Sequence, residues 1–169
     1  MDKNIILFRT ATQKDLKAIQ QVYENAIKTL ESNGIYQWDS VYPNEEVIRN
    51  DILKAHMFLG EVDGKIASIF ALNQDYDTDY NDGNWQHKDA SFFIIHRLCV
   101  NPDFQGKGIG KKTILYIEDY LRNQEIESIR LDAYSLNPVS LKMYEGLGFK
   151  KAGEVYWRKG LFYLYEKKL

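Results

Sequence analysis

The chain has 169 residues, 44% hydrophobic and 27% charged, with a formal net charge of −2, which suits a soluble globular protein and offers no global basic field for nucleic acid. Its single cysteine, Cys99, excludes an internal disulfide and a thiolate metal cluster. No apolar run approaches the roughly 18 residues of a spanning helix, so the expectation is one domain over residues 1–169, cytoplasmic, without nucleic-acid or membrane partners.

Residues 5–9 read as a first strand. From Thr12 or Gln13 a helix carries Leu16, Ile19, Val22, Tyr23, Ala26, Ile27 and Leu30 at spacings of three and four, a single buried stripe. Gly34 supplies its C-terminal cap. A loop with Trp38, Tyr42 and Pro43 follows, and Asn44 with Glu45 and Glu46 provides the cap and acidic first turn of a second helix, which carries Val47, Ile48, Ile52 and Leu53. Residues 57–62, the turn Asp63-Gly64 and residues 65–72 form a hairpin. The acidic stretch 73–84 is a solvated loop; its spacing lacks the glycine and terminal glutamate of a helix–loop–helix calcium site. Residues 92–100 are nearly continuously apolar, as in a central strand covered on both faces. A helix over 109–122 turns Ile114, Leu115, Ile117 and Leu121 inward. A short buried strand at 128–133 precedes a helix opened by Asn137-Pro138, running through Leu141, Met143, Tyr144 and Leu147 and closed by Gly146-Leu147-Gly148-Phe149. A last hairpin spans 155–165, and its aromatic residues make it a candidate surface for a homodimer. The order β-α-α-β-β-β-α-β-α-β-β predicts a mixed α/β fold with antiparallel hairpins flanking one parallel crossover.

The most informative stretch is Leu98-Cys99-Val100-Asn101-Pro102-Asp103-Phe104-Gln105-Gly106-Lys107-Gly108-Ile109-Gly110-Lys111. An apolar strand runs through a proline turn and a glycine corner into a helix, so backbone N–H groups gather where a phosphate can sit. Two nucleotide patterns fail on spacing. A P-loop requires Ser or Thr after Gly-Lys, where this chain has Lys112, and a glycine five positions before Gly110, where it has Gln105. A dinucleotide fingerprint requires G-x-G-x-x-G in the first strand–helix unit, whereas G-x-G-x-G here follows the fourth strand.

The remaining pattern, Gln/Arg-x-x-Gly-x-Gly/Ala, is matched by Gln105, Gly108 and Gly110. With the strand His96-Arg97-Leu98-Cys99-Val100, the proline turn and the downstream Asn137, Tyr144 and Gly146-Leu147-Gly148-Phe149, the chain resembles the GNAT superfamily of acyl-CoA N-acyltransferases. The resemblance implies a mixed, mostly antiparallel sheet of about seven strands whose central parallel strands splay apart, flanked by about four helices. It implies acetyl-CoA as co-substrate and no metal. The pyrophosphate would sit on Gln105, Gly106, Lys107, Gly108, Ile109, Gly110 and Lys111, and the pantetheine arm along the backbone of Leu98, Cys99 and Val100, with Asn137 capping its helix and bonding the arm. Tyr144 would protonate the departing thiolate, its phenol near pKa ~10 donating to a thiol near ~8.5.

His96 is the candidate base for the acceptor amine, directly or through a water chain, and a structural histidine is the competing reading. Glu61 is a weaker base candidate, and Arg97 has Asp132 or another carboxylate as its expected partner. Cys99 reads as a small buried hydrophobe. Tyr36, Trp38 and Trp85, with Tyr42, are candidate walls for a small-molecule or peptide amine acceptor that the sequence does not name. The acidic loop tilts the choice toward a small cationic amine. The expected activity is acetyl transfer to a primary amine by direct attack; the alternative is a non-catalytic acyl-CoA-binding or sensor protein of the same fold.

Overall fold

The computed structural model describes residues 5–169, and the chain divides into two compact units. The first comprises residues up to Leu72 together with Arg97–Thr113; the second comprises Asn73–His96 and Ile114–Leu169. The strands are β1 (Leu7–Thr10), β2 (Met57–Val62), β3 (Lys65–Asn73), β4 (Phe92–Val100), β5 (Ser128–Tyr134), β6 (Lys150–Trp157) and β7 (Gly160–Lys168). The helices are α1 (Leu16–Ser32), α2 (Glu45–Leu53), α3 (Ile109–Arg122) and α4 (Pro138–Gly146). The sheet runs β1-β2-β3-β4-β5-β7-β6, with β4 and β5 parallel and the pairs β1–β2, β2–β3, β5–β7 and β6–β7 antiparallel. This is the mixed α/β class expected from the element order. β4 and α3 match their expected spans to the residue, while β1 starts two residues later than expected and β6 and β7 are longer.

In the first unit, α1 and α2 bury one apolar face each. Leu16, Ile19, Val22, Tyr23, Ile48 and Ile52 join Met57, Leu59, Ile69 and Cys99 in one core. A 3₁₀ turn, Gln13–Asp15, leads into α1. The helix ends in a paired cap: Gly34 N–H donates to Glu31 O (2.9 Å) and Ile35 N–H to Leu30 O (2.9 Å), with Gly34 at φ +74°. That 6→1 and 5→2 pattern is the Schellman closure a glycine permits. Asn44 Oδ1 accepts the Val47 N–H (3.0 Å) and starts α2. The β2–β3 turn places Asp63 at φ +50° and Gly64 at +75°, as an Asp-Gly hairpin requires. Leu53 is exposed, outside the expected stripe.

In the second unit, Tyr80, Trp85, Ile94, Ala152, Val155 and Leu164 form a core against which Phe92, Trp157 and Phe162 pack. Two expectations change here. The stretch 73–84 is more than a solvated loop: Thr78–Asp82 is a 3₁₀ turn that sends Tyr80 inward. The aromatics of the closing hairpin are not a spare surface either, since Trp157 and Phe162 cover that core and Tyr165 is buried; Tyr156 alone of these stands out to solvent. On α3, Ile114, Ile117 and Leu121 are buried as expected, but Leu115 is exposed. Glu118 is buried instead, bonded by Lys167 Nζ at 2.6 Å.

Candidate active site

The glycine corner lies in the first unit. Asn101 ends β4 and fixes the turn beyond it: its Nδ2 donates to Ile66 O (2.7 Å), its N–H to Ala67 O (2.9 Å), and its Oδ1 accepts the Asp103 N–H (3.1 Å). Pro102–Phe104 form one 3₁₀ turn, with the proline at a position that needs no donor. Gln105, Gly106, Lys107 and Gly108 are exposed. Gly106 and Gly108 sit at φ +75° and +73°, and a Cβ added at either would meet nothing within 4 Å. The glycines are therefore required by the backbone, and the space over them is open.

Lys112 N–H donates to Gly108 O (3.1 Å), closing the first turn at the start of α3. The N–H groups of Ile109, Gly110 and Lys111 precede that bond and point out of the helix N-terminus. An anion there meets several donors and the positive end of the helix dipole. Lys107 serves its own turn, with Nζ on Asp103 O (3.3 Å) and over the Phe104 ring (5.1 Å). Lys111 and Lys112 are exposed.

In β4 the backbone departs from an ordinary strand at Arg97, whose φ is +54°. A left-handed arginine inside a strand costs free energy and needs support from its surroundings. Tyr23 Oη donates to the Arg97 carbonyl (2.6 Å). The guanidinium donates from Nε and Nη2 to the two oxygens of Asp51 (2.9 and 2.7 Å), and from Nη1 to Tyr42 Oη (2.9 Å). The carboxylate partner of Arg97 is therefore Asp51 and not Asp132. Cys99 is buried and its thiol is pushed up to about 12 by desolvation, so it is not a nucleophile at neutral pH. Val100 packs its side chain with Val62, Ala67 and Ile109, and Leu98 is half-buried. Glu61 is held by Arg9 (2.7 Å) and is committed to that pair. Tyr36 is exposed, and Trp38 packs edge-on against Tyr23 with ring centroids 5.6 Å apart.

The remaining candidates lie in the second unit. The parallel β4–β5 ladder pairs Phe92–Ile95 with Ser128–Leu131, while β5 keeps its β7 partners through Tyr134. His96 and Asp132 are the first residues past the end of that ladder. Asn137 Oδ1 accepts the Ser140 N–H (3.2 Å), so it does cap α4. Seven residues later Tyr144 is buried against Phe149 and Tyr165, with centroids at 5.8 and 6.3 Å. Burial pushes its phenol well above the ordinary value of 10, and the Asp132 charge adds to the shift. A phenol in that state remains a proton donor throughout the neutral range. Trp85, expected as a substrate wall, is buried, its Nε1 donating to Tyr80 O (2.7 Å). Its ring and that of Phe92 lie against the Arg130 guanidinium at 4.2 and 3.8 Å.

Sequence reasoning passed over Tyr80, and it weighed Asp132 only as a partner for Arg97. The signal was present in part, because Arg130 and Asp132 alternate as charges on one face of a buried strand. The Tyr80–Asp132 bond joins residues 52 positions apart and has no local signature.

Several known proteins resemble this chain. YesJ of Bacillus subtilis (strain 168), named an uncharacterized N-acetyltransferase, is 24% identical over 149 residues, covering 85% of this chain and 81% of its own length. An acetyltransferase of the GNAT family from Streptococcus agalactiae 2603 superposes with a TM-score of 0.84 at 22% identity, over 97% of this chain and 95% of that one. A PaiA N-acetyltransferase from Thermoplasma acidophilum, solved in complex with coenzyme A, gives 0.75 at 21% identity over 98% and 100% of the two chains. At these identities the two structures establish likeness of fold. The family model described as Acetyltransferase (GNAT) family matches residues 19–149, most of the chain, which belongs to that family and is an acyltransferase.

Proposed function

We propose that this acyltransferase moves an acetyl group from acetyl-CoA to the primary amine of a small-molecule or peptide acceptor. The observation that carries the reading is the open corner at Gly106 and Gly108, both at positive φ, ahead of the α3 N-terminus. Gln105 through Lys111 would hold the pyrophosphate on backbone N–H groups. The backbone of Leu98, Cys99 and Val100, with Asn137, would hold the pantetheine arm.

The transfer is a direct attack. His96, or a water chain ending on it, takes a proton from the acceptor ammonium, and the amine nitrogen bonds to the thioester carbonyl carbon. A main-chain N–H near Leu98 or Cys99 stabilises the tetrahedral oxyanion. The C–S bond then breaks as Tyr144 donates its proton to the thiolate, and the nitrogen gives up its second proton, which restores the Tyr144 phenol. The products are the amide and the free thiol. The buried, protonated phenol of Tyr144 supports this role. Tyr36 and Trp38 would contact the acceptor, whereas Trp85 lies in the core and would not.

Release of free thiol from acetyl-CoA, measured against a panel of primary amines, tests the reading. Wild type should turn over with at least one amine, and Tyr144→Phe should lower kcat by about 10²–10⁴ with little change in the KM for acetyl-CoA. Tight acetyl-CoA binding without turnover on any amine would leave a binding protein of the same fold.

A further inference from the structure

Arg97, at φ +54°, is where β4 leaves the regular strand, and ordinary alternation resumes beyond it. Cys99 joins the core formed with α1 and α2, whereas Val100 packs with Val62, Ala67 and Ile109, as neighbours on opposite faces of a strand do. The Asn101 N–H donates to Ala67 O of β3 (2.9 Å). Backbone N–H groups alternate sides along a strand, so the Cys99 N–H also faces β3, while that of Leu98 faces away from it. On that side the β4–β5 ladder has ended at Ile95–Leu131, so Leu98 is not one of its rungs.

The Arg97–Leu98 peptide is trans, which sets the Arg97 carbonyl and the Leu98 N–H antiparallel in one plane. Whatever fixes that carbonyl therefore fixes that N–H. Tyr23 Oη donates to the carbonyl at 2.6 Å, and Tyr23 is 2% exposed on α1 with the edge-on Trp38 ring beside it. The arginine side chain is fixed independently. Its Nε and Nη2 donate to the two oxygens of Asp51, a buried residue of α2, and its Nη1 donates to Tyr42 Oη. A left-handed non-glycine residue reverts to the right-handed or extended region unless its surroundings hold it. Reversion would turn the peptide plane and swing the Leu98 N–H away. All of these residues belong to the first unit.

Resting on the acetyltransferase reading above, we infer that Tyr23 and Asp51 are positioning residues, which hold the Arg97–Leu98 peptide so that the Leu98 N–H is aimed at the thioester carbonyl oxygen of acetyl-CoA. As the amine nitrogen bonds to the carbonyl carbon, the π pair of the carbonyl moves onto oxygen, and the oxyanion accepts from the Leu98 N–H. When the C–S bond breaks, its electrons leave with sulfur and the oxygen pair re-forms the carbonyl. The N–H loses no proton at any stage. A donor fixed beforehand stabilises the developing charge without reorganising, which is what a backbone held from two helices supplies. Neither Tyr23 nor Asp51 touches the reacting atoms; both act through the Arg97 backbone.

The test uses the full chain and acetyl-CoA isotopically labelled at the thioester carbonyl. Difference infrared spectroscopy reads the carbonyl stretch of the bound thioester, and calorimetric titration reads its affinity. The rate is read as free thiol released by hydroxylamine, which forms acetohydroxamic acid and demands no acceptor pocket. Tyr23→Phe and Asp51→Asn should move the stretch to higher frequency than in wild type, because the hydrogen bond to the carbonyl oxygen is weakened. Their hydroxylamine rates should fall about 10- to 100-fold, less than the loss of a whole oxyanion donor, with affinity for acetyl-CoA within about twofold of wild type. Gly34→Ala, which strains the cap beyond the C-terminal end of α1, is the control and should match wild type in frequency and rate. If Asp51→Asn does not fold, Tyr23→Phe decides alone. Wild-type frequency and rate in Tyr23→Phe, or the same changes in Gly34→Ala, would overturn the assignment. A Tyr23-dependent carbonyl shift without transfer to any primary amine would instead overturn the acetyltransferase reading and leave this one standing. A wild type that does not bind acetyl-CoA would overturn both.

Discussion

Tyr23 and Arg97 meet through a 2.6 Å hydrogen bond from the tyrosine hydroxyl to the arginine carbonyl, at the one residue of β4 held at positive φ. The same arginine is clamped by both oxygens of Asp51, and Asp51 is 4% exposed. The strained backbone of β4 is thus supported from α1 at its carbonyl and from α2 at its side chain. Removing Asp51 leaves a guanidinium with little access to water, so Asp51→Ala should lower unfolding free energy by about 3–5 kcal/mol. Tyr23→Phe leaves a buried carbonyl without its donor and should cost about 1–3 kcal/mol. Urea unfolding of both variants measures these losses; values near zero would mean that the left-handed Arg97 needs neither support.

Gly108 and Gly34 make a matched pair. Each has a φ near +74° and open space around its missing Cβ, but only Gly108 lies in the corner assigned to the pyrophosphate. Alanine at either position should cost about 1–2 kcal/mol for the left-handed backbone. Only Gly108→Ala should also raise the KM for acetyl-CoA. If both variants raise it equally, the corner has no special part in cofactor binding.

Cys99 gives a simple kinetic readout of the first unit's core. Its thiol is buried, and desolvation pushes it up to about 12. A disulfide reagent at pH 8 should therefore modify the native protein only as fast as the core opens, and the urea-unfolded chain at once. Rapid stoichiometric labelling of the native protein would contradict the burial.

Asp15 provides an acid-side stability test. Its hydrogen bond from Arg9 holds the carboxyl at about 2, below the ordinary 3.8; partial burial opposes the shift and the Thr12 N–H assists it. A folded value below the unfolded one means stabilisation that is present above pH ~4 and lost as pH falls toward ~2. Both partners touch water, so the contribution should stay under about 1 kcal/mol. The stability gap between wild type and Asp15→Asn should be constant near neutrality and shrink between pH ~4 and ~2. A gap that widens on acidification would reverse the assignment.

Local chemistry was legible wherever the cause lies within a few residues. Asn44 and Asn137 cap the helices they precede, Asp63-Gly64 turns the hairpin, and the continuous apolar run of β4 marks a strand covered on both faces. The glycine corner belongs to this class. Its positive φ angles follow from the glycines, and its donors follow from the helix that begins at Ile109. Boundaries were read less well at β6 and β7, where the hairpin continues beyond its apolar core.

Element order, the mixed α/β class and the backbone of the glycine corner could be read along the chain, because each rests on periodicity, capping or backbone freedom. Only the tertiary structure decided the partners of the charged and aromatic residues. Arg97 pairs with Asp51 across 46 positions and Tyr80 with Asp132 across 52. Trp85 and Trp157, written in segments that look like loop and surface hairpin, are consumed in a core. Such pairings depend on which faces the folded strands bring together. A buried charge takes whatever counter-charge the fold places beside it, and short-range pattern carries no record of that choice.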